Sequence, residues 1–338
     1  MERGERCADT SELREFLKEQ YRLDGDSPFR DLGGGNNLNM LVMQDGALRV
    51  ARVYRPWVTH ERIRETNRAL AALAEELPVP VKRPARGGDM ICQWNGHVVE
   101  LEDFVRADGQ MNTLPTVQRA ISCLGRLHSL LADMDYGPDA ATTEFTNYVS
   151  EDECQALTER ACARIRRFEG VTDAEKRMAD DAQALADDLA GLRLSLPEQL
   201  THGDFWDNNV LFRNGEPVWL GDFDFMGARP RVDDLALTLY FTDAQLSLFD
   251  PYTGDRIAAY RRIFMEYQAA LDTPWSAGER EALPYVMARQ PLWGFARWAN
   301  ILDEEAARGY IADMGWYLKW GRAMLYNAGV WHRLAAAT

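Results

Sequence analysis

The sequence has only five cysteines (Cys7, Cys92, Cys123, Cys154 and Cys162), widely spaced and with no C-x-x-C pair. An odd number without ligand spacing argues against a disulfide framework or a zinc cage, and predicts reduced thiols in a cytoplasmic protein. No stretch approaches the roughly 18 apolar residues of a membrane helix. The opening MERGERCADTSELREF lacks the apolar core of a secretory signal. Basic residues are outnumbered, 38 Lys+Arg against 53 Asp+Glu for a net charge of −15. Nucleic-acid binders instead carry a basic patch that displaces counterions. G-x-x-x-x-G-K-[ST] and G-x-G-x-x-G are both missing, which disfavours a P-loop enzyme. Fixed-period repeats and low-complexity tracts are missing too.

What is present is a globular composition: 338 residues, 46% hydrophobic, 27% charged and 10% aromatic. One large domain or two modest ones would bury such a chain. The charge is uneven. Residues 1–106 hold sixteen basic and eighteen acidic side chains, a net of −2, and the remainder holds twenty-two and thirty-five, a net of −13. An acidic second part attracts cationic small molecules, although a soluble, non-associating surface has the same composition.

The first hundred residues predict strands around one helix. Runs 37–44 and 47–54 flank Asp45-Gly46, and runs 89–94 and 97–105 flank Asn95-Gly96, both pairs suited to type I′ hairpin turns. Between them, 59–77 places Ile63, Leu70, Leu73 and Leu77 on one helical face, stopped by Pro78 and Pro80. Residues 106–114 read as a connector. Helices are predicted over 115–134, with Ile121, Leu124, Leu127 and Leu131 on one face, and over 151–168 and 173–192. Residues 200–225 break the helical pattern, and the rest is helical and rich in tryptophan (Trp293, Trp298, Trp316, Trp320). The coarse result is an α+β chain with a small β-rich lobe, 1–105, and a larger helical lobe, 106–338.

The chemistry concentrates in LTHGDFWDNNVLFRNGEPVWLGDFDF. Asp204 follows His202 by two, Asn209 follows Asp204 by five, and Asp222 follows Asn209 by thirteen, after an apolar Val-Trp-Leu run. Two carboxylates and an amide oxygen are hard ligands of the kind Mg2+ accepts beside phosphate oxygens and water. Phosphoryl transfer needs a carboxylate near the attacking hydroxyl and a metal on the phosphates, and this segment supplies both. Asp and Asn are also ordinary turn residues; the ordered spacing is what separates the two readings.

HGDFWDNNVLF with LGDFDF resembles the catalytic signature of the aminoglycoside phosphotransferase, choline kinase and homoserine kinase superfamily, small-molecule kinases with the protein-kinase-like bilobal fold. Protein kinases carry H-R-D-x-x-x-x-N and D-F-G at these places; here Gly203 replaces Arg and Asp224 replaces Gly. The resemblance spans nearly the whole chain and is most specific over 201–234. It implies that Asp204 orients the acceptor hydroxyl and takes its proton, and that Asn209 and Asp222, with Asp224 as a further carboxylate, bind Mg2+. His202 either holds the loop by hydrogen bonding or acts directly in catalysis. Asp233 and Asp234 suit helix caps, and Asp234 matches a loop-bracing position of the family.

For ATP, the resemblance implies that Gly33, Gly34, Gly35 and Asn36 cover the phosphates, that Arg52 holds them where relatives use Lys or Arg, and that Glu65, rather than Glu61, pairs with Arg52. Glu100, Leu101, Glu102 and Asp103, with Phe104, would form the hinge that meets adenine. Trp206, Asp303 and Glu304 are the candidate acceptor-binding residues, since carboxylates and aromatic faces suit an ammonium group, although aromatics at helical spacing also build cores. The implied function is ATP- and Mg2+-dependent O-phosphorylation of a small cationic alcohol, such as an aminoglycoside, another antibiotic or an amino alcohol, by a monomer or homodimer. A metabolic kinase of the homoserine or choline type and a nucleotide-binding pseudokinase are the alternatives, the latter disfavoured by the intact Asp204, Asn209 and Asp222.

Overall fold

The computed structural model describes residues 6–35, 37–138, 147–192, 195–246 and 254–336. Its β-rich part begins with helix α1 (Ser11–Tyr21), capped by the Thr10 side chain on the Leu13 N–H. One helix is predicted in this region, and α1 is a second. It buries Leu13, Leu17 and Tyr21 against the sheet, in a core with Met40, Val42, Val53, Val99 and Leu101.

Strands β1 (Arg30–Asp31), β2 (Leu38–Gln44) and β3 (Ala47–Val53) are followed by helix α2 (His60–Leu73), then β4 (Lys82–Arg83), β5 (Ile91–Trp94) and β6 (His97–Asp103). The six strands form one antiparallel sheet in the order β1-β2-β3-β6-β4, with β5 also paired to β6. Both predicted turns have the geometry their residues favour: Asp45 and Gly46 at φ 51° and 70°, Asn95 and Gly96 at φ 47° and 82°. Helix α2 starts where Thr59 caps the Arg62 N–H, and all four residues of its predicted apolar face are buried.

The predicted connector contains a short strand, β7 (Gly109–Gln110). It pairs with β9 (Val210–Arg213), which pairs with β10 (Glu216–Leu220) through an Asn214-Gly215 turn, a third hairpin of the same chemistry. Strand β8 (Glu198–Thr201) pairs with β11 (Gly227–Pro230). These short ladders hold the ends of the segment that carries the candidate chemistry.

Around them pack helices α3 (Leu114–Leu131), α4 (Glu151–Ile165), α5 (Asp173–Leu189), α6 (Arg231–Leu246), α7 (Gly254–Ala269), α8 (Ala277–Ile301), α9 (Glu304–Ala312), α10 (Met314–Tyr326) and α11 (Ala328–Ala336). Each predicted helix ends a few residues early, as the last turn relaxes into caps and loops. The core of this part runs from Ile121, Leu124 and Leu127 of α3 to Val286, Met287 and Phe295 of α8. Among the described residues no helix is long and apolar enough to cross a membrane, and all five cysteines are free.

The α3–α7 crossing depends on Gly125, where a Cβ would lie 2.6 Å from the Tyr267 carbonyl oxygen and 2.9 Å from the Ala270 Cβ. Alanine favours a helix by about 1 kcal/mol over glycine, but here it forces two backbones apart. Gly125→Ala should therefore lose about 1–2 kcal/mol net in urea unfolding, the overpacking cost exceeding the propensity gain. Equal or greater stability would show that the crossing yields freely.

Candidate active site

The loop after β8 is fastened before it reaches the cleft. The Asp234 carboxylate, on α6, accepts the backbone N–H of His202 and of Gly203, each at 2.9 Å, and His128 Nε2 lies 3.0 Å from it. Asp234 thus sits at its expected bracing position inside the first turn of α6, while Asp233 pairs with Arg289 at 2.5 Å. Gly203 has φ 77°, and a Cβ there would overlap the Phe225 carbonyl, so glycine is required.

His202 is completely buried, with Nδ1 accepting the Asp204 N–H at 3.2 Å and Nε2 donating to the Gly221 carbonyl at 3.0 Å. Burial pushes its pKa down to about 4, so the ring is neutral. Of the two roles open to it, the geometry is that of a brace. Neither ring nitrogen is free to take a substrate proton, which corrects the catalytic alternative.

Asp204 stands at the floor of the cleft between the two parts. One carboxylate oxygen accepts Asn147 Nδ2 at 2.6 Å and the other accepts Asn209 Nδ2 at 2.9 Å. Asn147 lies outside every motif and was not foreseen. Its neighbour Tyr148 is held between two guanidinium groups, Arg229 at 5.2 Å and Arg289 at 5.5 Å from the ring centre. Asp222, the next carboxylate of the cleft, has the left-handed backbone φ 61°, ψ 57°, a strained conformation for a non-glycine residue and frequent at functional sites. Burial and then the Asp222 charge raise the Asp204 pKa well above the ordinary range. Burial likewise raises Asp222 to about 6, with Arg52 opposing and Asp224 reinforcing the shift.

The cleft has a volume of about 680 Å³. Gly33, Gly34 and Gly35 line one wall, Gly33 and Gly34 with φ of 87° and 106°; Asn36 lies outside the described residues. Arg52 points in from β3 and binds both Asp222 and, at 2.9 Å, Asp224 through Nη2, while its buried Nε has no hydrogen-bond partner. Asp224 itself does not line the cleft: its second oxygen accepts Asn37 Nδ2 at 2.5 Å.

The expected Arg52–Glu65 pair does not form. Glu65 binds Arg68 at 2.6 Å and the Gly137 N–H at 3.3 Å, because the inward face of α2 at this level is occupied by Arg62. Arg62 donates to the backbone carbonyls of Asp224, at 2.8 Å, and Met226.

The expected hinge residues also divide. Glu102, Asp103, Phe104 and Val105 line the cleft, whereas Glu100 and Leu101 are interior to β6. Glu100 accepts from Tyr54, Asn67 and Lys82, and Leu101 belongs to the sheet core. A turn from buried strand to exposed linker follows Asp103, later than the sequence suggests. Across the cleft, Val50, Leu211 and Trp219 supply apolar surface.

On the acceptor side, Trp206 lines the cleft and stacks on Phe241 at 5.4 Å. Asp303 and Glu304 do not reach it. Asp303 caps α9 through the Ala306 N–H at 2.8 Å, and Glu304 pairs with Arg308 at 2.8 Å. They are the acidic start of a helix, stabilised by its dipole.

Among the described residues no three His, Cys, Asp or Glu side chains form a metal cage. A cation that shares its coordination with phosphates needs only one or two carboxylates. Asp222 with the amide oxygen of Asn209, beside Asp204, is such a hard-oxygen set, and both carboxylates have pKa values raised first by burial and then by a neighbouring carboxylate, with Arg52 opposing the rise at Asp222.

The burial of Asp222 links its titration to stability. The native state binds a proton at Asp222 more tightly than the unfolded chain does, so this group's contribution to stability falls as pH rises from near 4 through about 6. Asp222→Asn should melt at a higher temperature than wild type above pH 6, and the gap should narrow toward pH 4. A constant gap, or a less stable variant across the range, would contradict this.

The family model for the phosphotransferase enzyme family, APH, matches residues 30–267. No curated protein matches the chain by sequence. Solved structures share its fold at low identity. A microcompartment-associated aminopropanol kinase is 18% identical with a TM-score of 0.70, over 95% of this chain and 99% of that one. An amicoumacin kinase, solved with AMP-PNP, Ca2+ and its ligand, is 11% identical with a TM-score of 0.67, over 91% and 93%. An aminoglycoside phosphotransferase of Alicyclobacillus acidocaldarius is 14% identical with a TM-score of 0.64, over 98% of both chains. The α+β fold is that of these protein-kinase-like enzymes, and the chain belongs to the phosphotransferase enzyme family.

Proposed function

We propose that this phosphotransferase moves the γ-phosphate of ATP, bound with Mg2+, to a hydroxyl of a small cationic amino alcohol. The observation that carries the reading is the convergence of Asp204, Asn209 and Asp222 on one cleft with the glycine loop and Arg52. The backbone of Gly33–Gly35 approaches the phosphates, Arg52 grips them, and the apolar wall of Val50, Leu211 and Trp219 takes the base. Asn209 and Asp222 would hold the Mg2+, which when bound would neutralise charge on the phosphates. Asp204 accepts a hydrogen bond from the acceptor hydroxyl. As the acceptor oxygen bonds to the γ-phosphorus and the bond to the ADP oxygen breaks, the hydroxyl proton passes to Asp204. The neutral His202 and the Asn147 amide keep that carboxylate aimed, so positioning supplies most of the effect.

A division of the chain at 105/106 into a nucleotide-binding lobe and a catalytic lobe is supported by the sheets, since β6 ends at Asp103 in one and β7 begins at Gly109 in another. The acceptor class rests on two supports. The floor of the cleft carries Asp204 and Asp222 with the Trp206 ring beside them, a setting for an ammonium group. Solved structures with this fold are described as an aminopropanol kinase, an amicoumacin kinase and a streptomycin–ATP ternary complex.

A panel of aminoglycosides, other amine-bearing antibiotics, aminopropanol, choline and homoserine, assayed for ADP release with Mg·ATP, tests the proposal. Turnover is expected with at least one cationic alcohol. Asp204→Asn should lower kcat by at least about a hundredfold while nucleotide affinity stays within a few-fold. Wild-type turnover in that variant would remove Asp204 from the mechanism. Nucleotide binding without turnover on any alcohol would favour a pseudokinase.

A further inference from the structure

In this cleft the cation that would grip phosphate is held from the opposite side to that expected. Arg52 takes no carboxylate from α2; it takes Asp224, which is 5% exposed and lies behind it. Asp224 has both oxygens engaged, one on Arg52 and the other on Asn37, directly after the glycine loop. Its backbone carbonyl accepts Arg62 Nη2 at 2.8 Å and Nε at 3.3 Å, and the same guanidinium reaches the Met226 carbonyl. Asp222, two residues earlier, is the more open carboxylate, with 27% of its side chain exposed, and it does line the cleft.

We propose that Asp224 is a positioning residue for Arg52 rather than a metal ligand, and that Arg62 fixes Asp224 by clamping the carbonyls of its short turn. The inference rests on the reading of Arg52 as the phosphate-gripping residue. Arg52 is bonded to two carboxylates through one nitrogen. Asp222 must be available to other ligands when the cleft fills, so a guanidinium held by Asp222 alone would be drawn out of place with it. Asp224, buried and anchored at three points, gives Arg52 a partner that does not change hands. The charge pattern is the reverse of the predicted one: the helix contributes the cation, and the Asp-Phe-Asp turn contributes the anion. A forked guanidinium suits this role because it can bind two carbonyls in one plane, which a lysine ammonium does not reproduce.

The test is calorimetry of ADP binding with EDTA present, so that no metal contributes, combined with the Mg2+ dependence of turnover. Asp224→Asn should weaken metal-free ADP binding at least fivefold and leave the Mg2+ concentration for half-maximal rate within twofold. In an Arg52→Ala background the same substitution should have no further effect on ADP binding, since it acts only through Arg52. Arg62→Lys, which keeps the charge and loses the fork, should weaken metal-free binding in the same direction. It serves as the second probe if Asp224→Asn folds poorly. Unchanged metal-free affinity with a large rise in the Mg2+ requirement would identify Asp224 as a metal ligand and overturn the proposal. Additive effects of Asp224→Asn and Arg52→Ala would overturn it too. If Arg52→Ala alone leaves ADP affinity unchanged, the phosphate-gripping role of Arg52 fails, and this proposal with it. If Arg52→Ala weakens binding and Asp224→Asn does not, only the positioning role fails.

Discussion

Asp204 and Asp222 share one cleft in which burial raises the proton affinity of both, reinforced at Asp204 by the Asp222 charge and at Asp222 by the Asp224 charge. Partial burial limits the water that would screen such charges, and fixed positive charge and hydrogen bonds meet part of the cost. Much of the local architecture serves that need. Arg52 arrives from the sheet, Asn147 and Asn209 donate to Asp204 from either side, and Asp222 is placed by a backbone turn that its own residue type disfavours.

Behind the cleft the carboxylate is satisfied by hydrogen bonds. Asp234 accepts two backbone N–H groups and faces His128, whose other ring nitrogen meets the Tyr267 hydroxyl at 2.6 Å. Burial opposes its charge, but these partners hold the Asp234 pKa below the usual value. The contrast between a satisfied carboxylate behind the loop and crowded ones in front separates the structural acid from the groups open to ligands.

The parts of this molecule that could be read from the sequence are those encoded locally. Asp-Gly and Asn-Gly pairs have few conformations open to them, so both predicted hairpins are where they were expected, and the same reasoning applied to Asn214-Gly215 would have found the third. The spacing of Asp204, Asn209 and Asp222 was legible because one loop and one hairpin carry all three. Helix α1 also carries a local signal, a Thr10 cap followed by Leu13, Leu17 and Tyr21 at helical spacing. The Arg52–Glu65 pairing failed for a different reason. Residues 61, 62, 64, 65 and 68 are all charged, so the apolar face of α2 does not say which charge turns inward. Asp303 and Glu304 were drawn toward a substrate by chemistry that a helix start satisfies equally well. Asn147 had no local sign at all, being defined only by the contact it makes across 57 residues.

That last contact bears on how transferable the motif-bearing segment is. Asn147, beside a Tyr148 ring wedged between arginines from β11 and α8, donates to a carboxylate on a loop far away in the chain. A transplant of residues 201–225 into a foreign scaffold would carry the whole recognisable motif yet leave its acid unaimed. Any minimal redesign of this enzyme has to bring along that asparagine, for which no motif search would ask.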